Sequence, residues 1–193
     1  HQHGASAGPR VVAAAQGADY IYGLAGNDVL NGGNGADTIY GGYDNDSLYG
    51  GAGNDKLQGE AGNDYLDGGS GTDVLNGGAG NDIYVVEDAT DTVVEAAGMG
   101  TDTVQTLLAV TTLGANVENL TLTGKAIQGI GNGADNIITG NAKANIINGG
   151  DRDDRPFGHC RADRPLRGGG RDRPAGGPRH DRLVRPPAPR PHG

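Results

Sequence analysis

Residues 50–84 read GGAGNDKLQGEAGNDYLDGGSGTDVLNGGAGNDIY. An aspartate returns in this stretch every nine residues, at Asp55, Asp64, Asp73 and Asp82, and a large apolar side chain stands two residues after each aspartate. Glycines open each unit. The repeat is therefore G-G-x-G-x-D-x-U-x, in which U is apolar, and it predicts a regular structure built from identical short pieces.

The same unit runs upstream to residue 17, so that the array covers residues 17–85. Its eight aspartates are Asp19, Asp28, Asp37, Asp46, Asp55, Asp64, Asp73 and Asp82. Three positions depart from the pattern, because Leu24 and Glu60 replace the second glycine and Asp44 replaces the fourth-position glycine. Aspartate tolerates positive φ better than most residues, so we expect Asp44 to fit there and to weaken ion binding locally.

Each unit is predicted to form a six-residue glycine-rich turn and a three-residue strand whose central U side chain points inward. Two units make one flattened coil of about 18 residues, and identical positions in successive coils stack about 4.8 Å apart. The aspartates then fall into two columns. The first column is Asp19, Asp37, Asp55 and Asp73, and the second column is Asp28, Asp46, Asp64 and Asp82.

Stacked carboxylates repel one another by about 1 kcal/mol per pair even in water, so the columns need a bound cation. Calcium is the expected ion because every ligand on offer is an oxygen, from carboxylate, glycine carbonyl, asparagine or water. Magnesium demands stricter octahedral geometry, and zinc prefers His or Cys, which residues 17–85 lack. The alternative, a flexible linker, does not require an apolar residue at every ninth position.

These nonapeptides resemble the RTX (repeats-in-toxin), or hemolysin-type, calcium-binding repeats of secreted bacterial proteins. The resemblance implies an all-β fold, a right-handed parallel β-roll with calcium in the turns. It implies that the column aspartates and turn carbonyls of neighbouring coils share about six ions. The implied carbonyl ligands belong to Gly33, Gly35, Gly51, Gly53, Gly69 and Gly71. It also implies export of an unfolded chain by type I secretion machinery and calcium-triggered folding outside the cell.

Three further segments follow the array. Residues 86–130 lose the glycines but keep strand-like runs, and they resemble the β-rich spacers between RTX arrays; side-chain packing is expected to replace calcium in this solenoid spacer. Residues 131–150 are a degenerate second array, in which Asn145 stands where aspartate would be, so ion binding there should be weak. Residues 151–193 are an Arg/Pro/Gly-rich tail that we expect to be disordered.

The tail keeps the nine-residue step, because aspartates stand at Asp154, Asp163, Asp172 and Asp181, yet proline occupies the U position of several units. Two interpretations remain open: a nonapeptide array translated in a shifted reading frame, or a natural disordered basic tail. Translation of the gene in the shifted frame separates them, since only the first interpretation requires G-x-D-x-L units. At the other end, residues 1–16 are expected to be frayed.

Composition restricts the classes of function. Residues 1–150 carry four basic and 18 acidic residues, a formal charge of −14, which argues against nucleic acid as a partner of this part. No apolar stretch approaches membrane-spanning length. We expect no enzyme here, because the array has no Ser/His/Asp constellation and its aspartates are committed to the columns.

Two functions therefore stand. The first is a secreted, extracellular calcium-binding module that folds when calcium is supplied. The alternative is an accessory or adhesin module of a larger RTX enzyme or toxin that binds polysaccharide or a cell surface. Tyr22 and Tyr40 occupy the same position two nonapeptides apart and should stack on one face; they are either a platform for sugar rings or simple cross-strand packing, and we favour packing.

Overall fold

The structure, a computed structural model, describes residues 8–158 and 164–166, and it builds them from parallel strands and turns. The strands are β1 (Val11–Ala13), β2 (Tyr20–Ala25), β3 (Val29–Asn34), β4 (Thr38–Tyr43), β5 (Ser47–Ala52), β6 (Lys56–Ala61), β7 (Tyr65–Ser70), β8 (Val74–Ala79), β9 (Ile83–Val86), β10 (Thr92–Val93), β11 (Thr103–Thr106), β12 (Val110–Thr112), β13 (Asn119–Leu122), β14 (Gln128–Ile130), β15 (Ile137–Thr139), β16 (Ile146–Asn148), β17 (Arg155–Phe157) and β18 (Arg164–Leu166). Among the described residues, no helix is long and apolar enough to cross a membrane.

The strands alternate between two faces of a β-solenoid. The odd-numbered strands form one nine-stranded sheet in chain order, from β1 to β17. The even-numbered strands form a five-stranded sheet, β2 to β10, and a four-stranded sheet, β12 to β18. Every pairing is parallel, as a chain that winds continuously in one direction requires.

Two nonapeptides make one coil throughout the array. Val29 pairs with Ser47, and Thr38 pairs with Lys56, so each residue lies beside the equivalent residue two units later. This register confirms the predicted coil and shows that the fold is a β-solenoid of the expected kind. A one-residue slip would turn every U side chain to the outside.

The core is a ladder of the U side chains. Seven of the eight U residues of the array have no exposed surface, and Ile21, at the end of the ladder, is 3% exposed. Each buried leucine contributes about 1.5–3 kcal/mol relative to an exposed one. The ladder continues into the spacer through Val104 and Leu120 and into the second array through Ile138, so the prediction that side-chain packing carries the solenoid past the array is consistent with this core.

The spacer changes the coil length and one face. Ile83 pairs with Thr103 and Thr103 with Asn119, so a 20-residue coil is followed by a 16-residue coil, and the 18-residue register is restored at Ile137. The nine-stranded sheet runs through without a break, whereas the opposite face is divided between β10 and β12. A cavity of about 220 Å³ lies at this division.

Strands in the array are six residues long rather than the predicted three. The predicted boundary was wrong because the paired glycines continue the register between coils, as Gly33 does with Gly51. Only three residues, such as Gly35 to Asp37, then remain outside the strands. The turn at each edge is therefore tighter than the sequence pattern suggested.

Both ends of the solenoid extend further than predicted. Within the segment expected to be frayed, β1 pairs with β3, and the N–H of Arg10 donates to Asp28. Within the segment expected to be disordered, β17 pairs with β15 and β18 with β16. Pro156, at the U position, is buried and pairs with Ile138. Proline is tolerated there because, among the described residues, β17 is the edge strand of its sheet, where a missing N–H breaks no inner ladder.

Those strands correct the prediction of disorder for residues 151–158 and 164–166. The predictions for the rest of the tail, including Asp163, Asp172 and Asp181, and for residues 1–7 concern residues that lie outside the described part of the chain.

Candidate metal centre

The structure brings the aspartates together in two columns, one at each edge of the roll. In the first column, the backbone N–H of Asp37 donates to Oδ1 of Asp55 at 2.8 Å, and the N–H of Asp55 donates to Oδ1 of Asp73 at 2.8 Å. In the second column, the N–H of Asp46 donates to Oδ1 of Asp64, also at 2.8 Å. Each link joins equivalent positions of successive coils, so one carboxylate oxygen per aspartate ties its coil to the preceding one.

The other carboxylate oxygen is buried and has no hydrogen-bond partner. This holds for Oδ2 of seven of the eight array aspartates, namely Asp28, Asp37, Asp46, Asp55, Asp64, Asp73 and Asp82. All seven residues are at most 2% exposed. A buried carboxylate oxygen without a partner costs several kcal/mol, and a row of them is the arrangement that a cation relieves. Asp19, at the open end, is half-buried and lies outside this set.

Glycine leaves room for these oxygens. A Cβ added to Gly50 would lie closer than 3.0 Å to both Oδ2 of Asp55 and the carbonyl oxygen of Gly68. The same clash with an aspartate oxygen occurs at Gly32, the first glycine of another unit. Glycine is therefore required at Gly32 and Gly50, because the carboxylate of the same unit and the carbonyl of the next coil fill the space of a side chain.

The predicted carbonyl ligands also lie in columns. The carbonyl oxygen of Gly35 lies beside Gly53, and that of Gly53 beside Gly71, each closer than 3.0 Å to where a Cβ would stand. The carbonyls of Gly33 and Gly51 stand in the same relation to the second glycines Gly51 and Gly69. Carboxylate and carbonyl oxygens at the turns fit a hard cation such as calcium, and the array offers it no nitrogen or sulfur side-chain ligand except amide nitrogens and Lys56.

The electrostatics of the metal-free columns favour protonation. Burial, with smaller contributions from the neighbouring Asp82 and Asp46 carboxylates, raises the pKa of Asp64 to about 7, against the N–H donated by Asp46. Burial likewise raises the pKa of Asp46, Asp73 and Asp82 to about 6. Without a cation, these four carboxyls therefore take up protons at a higher pH than an ordinary aspartate does.

The three departures from the motif keep a positive φ, as the glycines at these positions do. Leu24, Asp44 and Glu60 have φ of 85°, 75° and 76°. Asp44 adds a contact of its own, because its Oδ2 accepts the N–H of Gly26 at 3.1 Å. The prediction of weakened ion binding near Asp44 and Asp46 stays a prediction.

The second array replaces carboxylates by asparagine amides. Asn136 occupies the column position, and its N–H donates to Oδ1 of Asp154 at 2.8 Å. Its side-chain amide donates to the carbonyl oxygens of Val117 and Glu118, at 3.1 and 3.2 Å. Asn145 donates in the same way to the carbonyl of Ala126 at 3.1 Å. An amide group thus stands where the array would need a cation.

The sequence pattern identified Asn145 but not Asn136. It also did not reveal a ladder of asparagine hydrogen bonds on the outer surface of the turns. The side-chain oxygen of Asn45 accepts the N–H of Asn63 at 2.7 Å, and that of Asn63 accepts the N–H of Asn81 at 2.7 Å. The signal was the asparagine that precedes the aspartate in most units. These exposed bonds tie the turns together on their outer side.

The columns also run past the array. Oδ1 of Asp91 accepts the N–H of Asp73 at 3.1 Å, and Oδ1 of Asp102 accepts the N–H of Asp82 at 2.9 Å. Asp91 keeps the nine-residue phase, whereas Asp102 is displaced by the two extra residues of the long coil. Asp102 could have been found from the sequence around it, because Gly100-Thr101-Asp102-Thr103-Val104 keeps the G-x-D-x-U pattern.

Tyr22 and Tyr40 stack as predicted, with ring centroids 4.9 Å apart and an interplanar angle of 2°. Since each ring covers a face of the other, the pair packs across strands and does not offer its shared faces to a sugar.

A family model described as "RTX calcium-binding nonapeptide repeat (4 copies)" matches residues 14–48, 40–75, 49–84, 59–93 and 130–155, more than half of the chain. The chain belongs to this RTX family. RTX repeats bind calcium, and the RTX roll is a calcium-binding structure rather than a catalytic one. Proteins with RTX repeats are typically secreted.

One characterised relative is similar to part of this RTX chain. The endo-1,3-1,4-beta-glycanase ExsH of Rhizobium meliloti (strain 1021) is 48% identical over 58 residues. The match covers 30% of this chain and 12% of the length of the glycanase. No solved structure gives a significant match.

Proposed function

We propose that this chain is a calcium-dependent folding module of a secreted protein. The observation that carries the proposal is the row of seven buried Oδ2 atoms that have no hydrogen-bond partner. Protein hydrogen bonds satisfy the other oxygen of each carboxylate, so the free oxygens are the natural place for a cation.

The proposed ligands are the column aspartates Asp19, Asp28, Asp37, Asp46, Asp55, Asp64, Asp73 and Asp82, with the turn carbonyls of Gly33, Gly35, Gly51, Gly53, Gly69 and Gly71. Four aspartates per column enclose three gaps, so the array has room for about six ions. When bound, calcium supplies positive charge between neighbouring coils. The chain supplies the rest, because glycine turns expose carbonyls and the U ladder fixes the spacing of the coils.

Folding would follow calcium by linkage. Calcium that binds only the folded roll stabilises it in proportion to the logarithm of its concentration. At low calcium the acidic chain has a thin core and strong self-repulsion, so it stays expanded. Extracellular calcium-binding modules work at about 10⁻⁴–10⁻³ M. Folding after export through a type I secretion channel would fit that range, since the chain would cross unfolded.

Ion counting tests this function. The chain is stripped with chelator, dialysed against about 5 mM calcium, a concentration above the extracellular range, and its bound calcium is measured by elemental analysis. About six ions per chain are expected, with magnesium bound far more weakly. A chain that retains no calcium after dialysis would overturn the proposal.

A second candidate is a polysaccharide-binding accessory module, which the similarity to part of a glycanase favours. A groove of about 520 Å³ lies beside the stacked tyrosines and is lined by Tyr22, Tyr40, Tyr43, Leu24 and Glu60, with Tyr43 71% exposed. Titration of acidic and neutral glycans onto the calcium-loaded chain tests it, with Tyr43→Ala as the variant. Saturable binding that Tyr43→Ala abolishes supports this function, and no binding excludes it.

A further inference from the structure

Three carboxylates of and beside the second column meet where the array joins the spacer. Asp82 belongs to the last nonapeptide, Asp102 begins the following coil, and Glu95 lies between β10 and β11 in the spacer. One ligand oxygen from each residue lies within 4.8 Å of the others. Asp82 and Asp102 are 1% exposed, and Glu95 is half-buried.

One carboxylate oxygen of the cluster, Oδ2 of Asp82, has no hydrogen-bond partner. Oδ1 of Asp82 accepts the N–H of Asp64 at 2.8 Å, whereas its Oδ2 is buried without a partner. A Cβ built on Gly77 would lie closer than 3.0 Å to both this Oδ2 and the hydroxyl oxygen of Tyr84. Since the Tyr84 hydroxyl donates to Glu95, the unpartnered oxygen of Asp82 faces the side of the cluster from which Glu95 enters.

Hydrogen bonds fix the position of Glu95. The N–H of Gly77 donates to the hydroxyl oxygen of Tyr84 at 2.7 Å, and that hydroxyl donates to Oε1 of Glu95. The side-chain amide of Asn116 donates to the backbone carbonyl of Glu95 at 3.0 Å. Glu95 is therefore held at the column by both the array and the spacer, unlike a surface acid that swings in solvent.

The coil that carries Glu95 is the one that breaks the regular repeat. It is longer than the coils of the array by two residues, because Ile83 pairs with Thr103 whereas Tyr65 pairs with Ile83. Elsewhere in the array, each gap between coils has one aspartate on either side. Among the described residues, this is the group in which a third carboxylate from outside the nonapeptide joins two column aspartates.

We propose that Asp82, Glu95 and Asp102 bind one further calcium ion, which fastens the spacer to the end of the array. The proposal rests on the calcium-binding function proposed above, and it assigns a ligand that the nonapeptide motif does not contain. Three carboxylates so close together repel strongly without a cation. Hard oxygen ligands of this charge suit calcium.

The test compares the whole chain with its Glu95→Gln and Glu87→Gln variants by calorimetric calcium titration and elemental analysis. Gln keeps an oxygen acceptor for the Tyr84 hydroxyl and removes only the charge. Glu87 is an exposed acid of the same spacer, so Glu87→Gln is matched in charge. Glu95→Gln is expected to bind one ion fewer than the wild type or to bind one ion about tenfold more weakly or worse, and Glu87→Gln is expected to match the wild type.

Glu95→Gln with the wild-type number of ions and wild-type affinities overturns the proposal, while the calcium function stands. A wild-type chain that binds no calcium overturns the function itself, so the two failures are distinguishable. If Glu95→Gln does not reach the wild-type β content in excess calcium, it is misfolded, and Glu95→Asp replaces it in the test. Glu95→Asp keeps the charge but shortens the side chain by one methylene. One weakened ion in Glu95→Asp supports the site, and unchanged affinity for every ion rejects it.

Discussion

Each column aspartate divides its carboxylate between two tasks. Oδ1 of Asp55 accepts the N–H of Asp37 at 2.8 Å, and its Oδ2 is buried without a partner. The first oxygen stabilises the stack of coils whether or not an ion is present, whereas the second oxygen destabilises it until a cation arrives. Calcium dependence therefore resides in a single atom per turn.

Asp55→Asn separates these tasks, because the amide oxygen still accepts the N–H of Asp37 while the charge is lost. We expect the calcium midpoint of folding to rise by about tenfold, since losing a charged partner costs about 1.5–3 kcal/mol. Asp135→Asn is the control, because Asp135 is exposed and lies beside, not in, the column. Equal midpoints for both variants, measured by circular dichroism, would contradict the assignment.

Protons and calcium compete for the columns. The pKa values of Asp64, at about 7, and of Asp46, Asp73 and Asp82, at about 6, exceed the ordinary value of 3.8. Carboxyls with raised pKa stabilise the metal-free roll below about pH 4, and this stabilisation is lost as the pH rises through about 6 to 7.

In chelator, the β content should therefore fall as the pH is raised from about 4 to about 7.5. The calcium midpoint should be several-fold higher at about pH 5.5 than at about pH 7.5, because protons must leave before the ion binds. Circular dichroism at the two pH values provides the measurement. A midpoint that does not change with pH would show that the aspartates are not the ligands.

At the scale of the element, the turn depends on glycine for two separate reasons. Gly53 has a φ of 138°, and its missing side chain makes room for the carbonyl oxygen of Gly35. Leu24, Asp44 and Glu60 show that some turn positions accept a side chain at positive φ. Asp44 stands at the same fourth position as Gly53 but has a φ of 75° rather than 138°, so a side chain at this position goes with a different turn geometry.

Gly53→Ala should destabilise the roll by more than the roughly 1–3 kcal/mol that left-handed strain alone costs, by about 3 kcal/mol or more. It should therefore shift calcium-induced folding to higher calcium. Gly17→Ala is the matched control at the same position of the first unit, since Gly17 also has a positive φ, of 100°, and nothing lies within 4 Å of the added Cβ. Thermal unfolding in calcium compares the two. Similar losses in both variants would argue against the stacked-carbonyl arrangement.

The asparagine turns should need no ion of their own. The side-chain amide of Asn136 donates to the carbonyls of Val117 and Glu118, and Asn136→Asp would turn that donor into a charge that faces two carbonyl oxygens. We expect Asn136→Asp to lower the melting temperature at about 10⁻³ M calcium by about 4–10 °C, from a loss of about 2–3 kcal/mol. A higher calcium concentration should restore part of the loss, and an unchanged melting temperature would contradict the role of the amide.

The architecture of the array could be predicted from the nonapeptide repeat, because the coil length follows from the spacing of the Asp and U residues alone. Strand length was underestimated, since the motif does not show that paired glycines keep the ladder register. Glu95 was beyond sequence reasoning, because it reaches Asp82 only through the longer coil of the spacer. The buried Pro156 was misjudged because the motif does not show that β17 is the edge strand of its sheet among the described residues.

At the scale of the whole molecule, the charge of −14 over residues 1–150 opposes folding, and the thin core offsets this repulsion only in part. The U ladder supplies one large side chain per nonapeptide, while each unit also adds at least one acid. Cation binding removes the repulsion and adds a favourable contribution with every coil, so folding and ion uptake should be one cooperative event.

Far-ultraviolet circular dichroism of the chelator-stripped chain during calcium titration tests this coupling most directly, with bound calcium measured on the same samples. We expect a cooperative change from coil to β structure at about 10⁻⁴–10⁻³ M calcium, in step with ion uptake, and little response to magnesium. Full β structure in excess chelator, with no calcium taken up when it is added back, would contradict it.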